Sequence, residues 1–253
     1  MPEEDALGAD TEMPWRKPWE LLRSGEIERG LEILRREYEA KPKGAREIVR
    51  LGIGYMWAQK YESAATHFTV ATRREWNGED DFAFAGVAEW QLGNYAVAIQ
   101  RWREGLKAQY AVGCRVCSMT ARFLVVVSAL EPERFPKHEA EGALRDATEQ
   151  IDPSRWSGLL GRYLLGQIEA SEVEDWISDK NRDVEVQWRL LWQTDFYRSV
   201  RRLRHAEINA QTFRTEMRPM ADSANSETID TAAFAQLLRM PEFFFARTEA
   251  AKN

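Results

Sequence analysis

A fixed internal step of 34 residues is the feature that most narrows what this chain can fold into. With residues 45–78 laid under 79–112, Gly52 falls on Gly86, Tyr61 on Tyr95, Ala64 on Ala98, Phe68 on Trp102 and Trp76 on Tyr110. One step earlier, Ile27 precedes Tyr61, Gly30 precedes Ala64, Leu34 precedes Phe68 and Pro42 precedes Trp76. Gly25 meets Gly93 across two steps. A period of this size marks a small unit that cannot bury its apolar face alone and must stack on its neighbours.

Within a unit, apolar residues recur at helical spacing twice, separated by a short turn. Leu51, Tyr55 and Ala58 predict one helix, and Tyr61, Ala64, Ala65, Phe68 and Ala71 a second. Small residues (Gly52, Ala64, Gly86, Ala98) let helix backbones approach, and Tyr61, Phe68, Tyr95 and Trp102 fill the space beside them. Gly93–Asn94 and Ser24–Gly25 read as a helix stop followed by a restart. Pro42 ends the second helix of the first unit, and Pro14 and Pro18 shorten its opening helix.

Residues 11–112 resemble three tetratricopeptide repeats, on the strength of Leu51-Gly-Ile-Gly-Tyr55 continued by Tyr61, Ala64, Phe68 and Ala71, and of Gly86, Gly93, Tyr95, Ala98 and Trp102. The resemblance implies an all-α, TPR-like α-solenoid with no sheet, its repeats occupying 15–112. It also implies a concave surface lined by the first helix of each unit. Carried over residue by residue, that groove is Arg46, Val49, Ile53, Met56 and Trp57, then Asp80, Ala83, Val87, Trp90 and Gln91. The family's carboxylate clamp for peptide C-termini is not reproduced. Two arrangements of Trp57 and Trp90 remain open: anchors in an exposed groove, or rings covered by the chain's own C-terminal helices.

Beyond Tyr110 the register drifts, and 113–253 reads as a degenerate repeat and an irregular helical part continuous with the repeats. Helices are expected over Val116–Leu130, His138–Gln150, Trp156–Leu165, Ser171–Ile177 (capped by Ser171 with Glu174), 184–204, 207–221, Thr231–Leu238 and Pro241–Ala250. Phe243, Phe244 and Phe245 are expected to cap the last exposed core face. The short pair around Trp156 to Ile168 resembles, more loosely, bacterial repeat proteins that act as immunity partners of toxins.

Composition excludes several classes. Net charge is −6, and Glu3, Glu4, Asp5, Asp10 and Glu12 carry most of it in an acidic tail, 1–14. The body is then nearly neutral, so no nucleic-acid partner is expected. No apolar run is long enough to cross a membrane and no secretory leader is visible, so a cytoplasmic location is expected. Cys114 and Cys117 form one C-x-x-C without the βαβ setting of a redox site or two further zinc ligands, and His67, His138 and His205 are scattered. They read as small packing residues, and no cofactor or metal is expected. Glu79-Asp80-Asp81 reads as a helix cap rather than a cation site. Arg198, Arg201, Arg202 and His205 share a helix face that either docks an acidic partner or RNA, or is a solvated face with local pairs such as Asp195–Arg198.

The expectation is therefore a non-catalytic protein that binds an unknown partner protein through the concave repeat face, in its sharper form neutralising a bacterial toxin. The alternative is a thiol- or metal-dependent enzyme or switch using Cys114 and Cys117. Ala98 sits where two helices meet, so Ala98→Leu is expected to cost about 1–3 kcal/mol in a denaturant titration through overpacking.

Overall fold

A computed structural model describes residues 16–42, 44–74, 77–105, 108, 123–149, 151–178, 184–225, 234 and 237–252. The acidic tail and Cys114 and Cys117 lie outside the described residues. The elements are α1 (Lys17–Arg23), α2 (Ile27–Ala40), α3 (Ala45–Trp57), α4 (Tyr61–Thr72), α5 (Glu79–Gln91) and α6 (Tyr95–Gly105). After a 3₁₀ segment, Val125–Leu130, come α7 (Lys137–Glu149), α8 (Trp156–Leu164), α9 (Ala170–Ile177), α10 (Val184–Arg204), α11 (Ala210–Asp222) and, beyond a 3₁₀ turn at Ser223–Asn225, α12 (Pro241–Ala250). No strand occurs among the described residues.

From α1 to α6, each helix packs against the next. The turns explain why. The first helix of each hairpin ends with one residue in the left-handed region: Gly25 at φ +88°, Gln59 at +57° and Gly93 at +78°. Beyond each, the next amide reaches back to a carbonyl five residues earlier: Glu26 to Leu21 at 2.8 Å, Lys60 to Tyr55 at 2.9 Å and Asn94 to Glu89 at 2.9 Å. This is the Schellman ending, which reverses the chain tightly while satisfying terminal carbonyls. Positions 25, 59 and 93 are each 34 residues apart. The same closure joins α8 to α9 at Gly166 (φ +73°) and α10 to α11 at Ala206 (φ +57°).

The small-against-large pattern is equally physical. A Cβ on Gly52 would lie 2.8 Å from the Phe68 ring, and one on Gly86 would collide with the Trp102 indole. These contacts recur one 34-residue step apart. Trp102 is fixed by donating its indole N–H to the Ala83 carbonyl at 3.2 Å. Ala64 and Ala98 are fully buried.

Several local expectations change. The 116–130 helix is 3₁₀ over Val125–Leu130, its earlier part lying outside the described residues. The 207–221 helix begins at Ala210, where the Asn209 side chain accepts from the Thr212 amide at 2.8 Å. The α9 cap is not Ser171. Glu169 precedes the helix, and Glu172 accepts from its amide at 3.2 Å, so the reciprocal pair lies two residues earlier than expected. The 231–238 helix falls largely outside the described residues, of which Phe234, Leu237 and Leu238 are buried. One hydrophobic core runs from Trp19 in α1 to Ala246 in α12.

The turn geometry yields a paired prediction. A residue with a Cβ pays about 1–2 kcal/mol to sit left-handed, a cost glycine avoids at some loss of chain entropy. Gln59→Gly should therefore raise stability by about 0.5–1 kcal/mol. Gly93→Ala, where nothing lies within 4 Å of the new Cβ, should lower it by about 1 kcal/mol. Urea titrations of both variants check the pair.

Candidate functional site

α12 decides whether Trp57 and Trp90 can be reached. Its three consecutive phenylalanines are all buried, and each meets a different wall. Phe243 lies 6.3 Å from the Trp57 ring and 6.2 Å from Trp192. Phe244 lies 6.0 Å from Phe84, and Phe245 sits between Trp90 at 5.6 Å and Phe196 at 6.0 Å. A helix apolar on every side must be enclosed. It lies against α5 on one side and α10 and α11 on the other.

Of the two arrangements open for Trp57 and Trp90, the structure has the rings covered by the chain's own C-terminal helix. Trp57 is 5% and Trp90 1% exposed, because the chain's own α12 covers them. The Arg247 guanidinium lies 4.3 Å from the Trp57 ring centre and donates to the Trp57 carbonyl at 2.8 Å, while the Trp57 indole donates to the Leu22 carbonyl at 2.9 Å. The Trp90 indole donates to Glu249 at 3.3 Å. Met56, Ala83 and Val87 are buried with them, and Gln91 is half-buried at the end of α5.

Four of the expected groove residues stay together around open space. Arg46, Val49, Ile53 and Asp80 line a cleft of about 460 Å³, joined by Trp19, Arg50, Arg74, Asp81, Leu238 and Arg239. α3 presents Arg46, Val49, Arg50 and Ile53 one turn apart, so they share a face. Arg50 pairs with Glu37 at 3.1 Å and stacks 5.5 Å from the Trp19 ring centre. Arg74 follows α4, in a turn held by the Asn77 amide donating to the Thr72 and Arg74 carbonyls at 2.8 and 3.1 Å. Its Nε and Nη1 are buried without hydrogen-bond partners. Asp81 caps α5 by accepting from the Gly78 amide at 3.0 Å, as its position predicts.

At the back of the cleft Asp80 of α5 comes near Glu242 of α12, an approach that sequence reasoning missed because it joins two helices distant in the chain. Glu242, fully buried, accepts on Oε1 from the Tyr197 hydroxyl at 2.9 Å and the Gln193 amide at 3.2 Å. Burial raises its pKa from an ordinary 4.5 to about 7. Asp80 is pushed from 3.8 to about 8, first by burial and then by Glu79, Glu242 and Asp81, with Arg189 opposing. Asp80 therefore holds its proton more firmly than an ordinary carboxyl, which lessens the acidic charge facing the arginines of the cleft.

The basic stripe is engaged locally, although the Nε of Arg201 is buried without a hydrogen-bond partner. Arg198 bonds to Glu174 and, at 2.8 Å, to Asp195; Arg201 lies 4.6 Å from the Tyr163 ring centre; Arg202 pairs with Glu216 at 2.5 Å and Glu207 at 3.9 Å. His205 follows at the end of α10. Among the described residues, no three His, Cys, Asp or Glu side chains are grouped to hold a metal ion, and no helix is long and apolar enough to cross a membrane. No protein-family model matches the chain, and no curated protein matches it.

The carboxyl group has a pH consequence. Both carboxyls hold protons in the folded state that the unfolded chain releases near pH 4, so their contribution to stability falls as pH rises from about 4.5 to about 8. Glu242→Gln removes one of these losses. Its stability relative to the parent is expected to rise between pH 5 and pH 8 by up to about 3 kcal/mol, as thermal melts across that range would reveal.

Proposed function

We propose that this chain is a non-catalytic protein-binding scaffold of the tetratricopeptide-like kind, which takes an acidic segment of a partner protein into the cleft around Arg46, Arg74 and Arg239. The repeat reading is supported by the left-handed helix ends at 25, 59 and 93 and by the recurring Gly52–Phe68 and Gly86–Trp102 contacts. The observation that carries the binding is Arg74: two guanidinium nitrogens are buried without partners in a cleft that three other arginines line. A guanidinium fork matches a carboxylate with two parallel hydrogen bonds. Protonated Asp80 offers such a guest a donor instead of a repelling charge. Trp19, Val49, Ile53 and Leu238 give its aliphatic stems an apolar wall.

The test is a fluorescence titration with an array of acidic, neutral and basic peptides. Acidic sequences should bind one per chain and weaken with salt. Arg74→Met and Arg239→Glu should each weaken them about tenfold or more, with Arg202→Ala unchanged. Binding indifferent to peptide charge, or unaltered by both cleft variants, would sink the proposal.

A further inference from the structure

A larger cavity, of about 780 Å³, lies between the 3₁₀ segment, α7 and the α10–α11 turn. Its size is within the range of small-molecule sites. Most of its wall is apolar, with Val126, Leu130, Phe135, Leu203 and Ile208 contributing the large side chains. One charged group is built into that wall. Arg204, the last residue of α10, is only 8% exposed.

The guanidinium of Arg204 is poorly compensated. Nη1 donates to the Leu164 carbonyl at 3.3 Å and Nη2 to Glu141 at 3.4 Å, both at the long limit of hydrogen bonding. Nε has no partner. A guanidinium carries five N–H donors, and a buried charge without full pairing is costly. Burial pulls its pKa down, Glu141 holds it up, and neighbouring Arg201 pushes it down again. The other polar residues at the mouth are committed elsewhere. Glu207 is exposed and pairs with Arg202 at 3.9 Å, and Asn209 caps α11.

We infer that this cavity binds a small amphiphilic carboxylate, its acid group paired with Arg204 and its hydrocarbon chain lying on Val126, Leu130, Phe135, Leu203 and Ile208. The two halves of the site select together. A simple inorganic anion leaves the apolar wall unused, whereas a neutral alcohol of the same length adds no charge to an arginine that has only the long Glu141 pair. An amine adds a second cation beside the first.

The probes are decanoate, decanol and decylamine, titrated by calorimetry into the full chain, with a diazirine-bearing fatty carboxylate mapped by mass spectrometry after photolysis. Decanoate should saturate at one per chain, decanol should bind about tenfold or more weakly, and decylamine should not bind. Arg204→Gln should bring decanoate down to the level of decanol. Labels should fall within 126–140 and 203–210. If Arg204→Gln does not fold, the acid-to-alcohol ratio and the label positions in the unaltered chain still decide. Equal affinity for acid and alcohol overturns the inference, as do labels elsewhere. So does absence of saturable binding, the result if another segment of this chain or another protein fills the cavity.

Discussion

Phe243, Phe244 and Phe245 point in three directions from α12, about 100° apart on a helix of 3.6 residues per turn. No single face can bury such a run, so the helix is stable only inside a sleeve. α5, with Phe84 and Trp90, and Trp57 of α3 form one side; Trp192 and Phe196 of α10 form the other. α12 thereby joins hairpins that are distant in sequence. Dispersion and apolar burial across these rings are worth several kcal/mol, enough to determine how the two halves meet. Arg247 and Glu249 then fasten the same helix to the Trp57 carbonyl and the Trp90 indole.

Inserting that helix takes its N-terminal turn inside as well. Glu242 follows Pro241 at the start of α12 and becomes fully buried opposite the acidic start of α5. A lone buried carboxylate would be expensive. Three groups on α10 moderate the cost: Tyr197 and Gln193 donate to Glu242, and Arg189 supplies positive charge to both Glu242 and Asp80. Proton uptake covers what they leave, which is why two carboxyls titrate near neutrality. The raised pKa values follow from packing α12 and require no catalytic purpose.

How much of this was legible in the sequence depends on range. Local rules found the hairpins, because Gly25 and Gly93 advertise left-handed turns, and the bounds 184–204 and Pro241–Ala250 agree with α10 and α12. They failed where a residue departs from type. Gln59 and Ala206 adopt the glycine conformation without being glycine, and Glu169 stands where a better cap was sought in Ser171. Long-range placement was beyond periodicity altogether. Trp57 and Trp90 fit a binding groove and a buried core equally well, since both uses ask for large aromatic surface. Only the position of α12 decides between them. The cleft was half visible: Arg46, Val49, Ile53 and Asp80 came from the groove positions that the repeat resemblance implies on two successive helices. Arg74, Leu238 and Arg239 enter from a turn and from the approach to α12, which no spacing rule connects.

Covering Trp57 and Trp90 with α12 also changes which surface is left for the binding we propose. An aromatic floor would have offered area and little directional preference. With that floor occupied, what remains reachable is the margin, where four arginines stand beside the apolar side chains of Trp19, Val49, Ile53 and Leu238. Binding of the kind we propose would depend there on charge and geometry, since each exposed pair gains little alone and a partner must satisfy several at once. Arg74 is the exception within that margin. Its Nε and Nη1 are already desolvated, so in the binding we propose a carboxylate drawn to this side chain strips no further water from them.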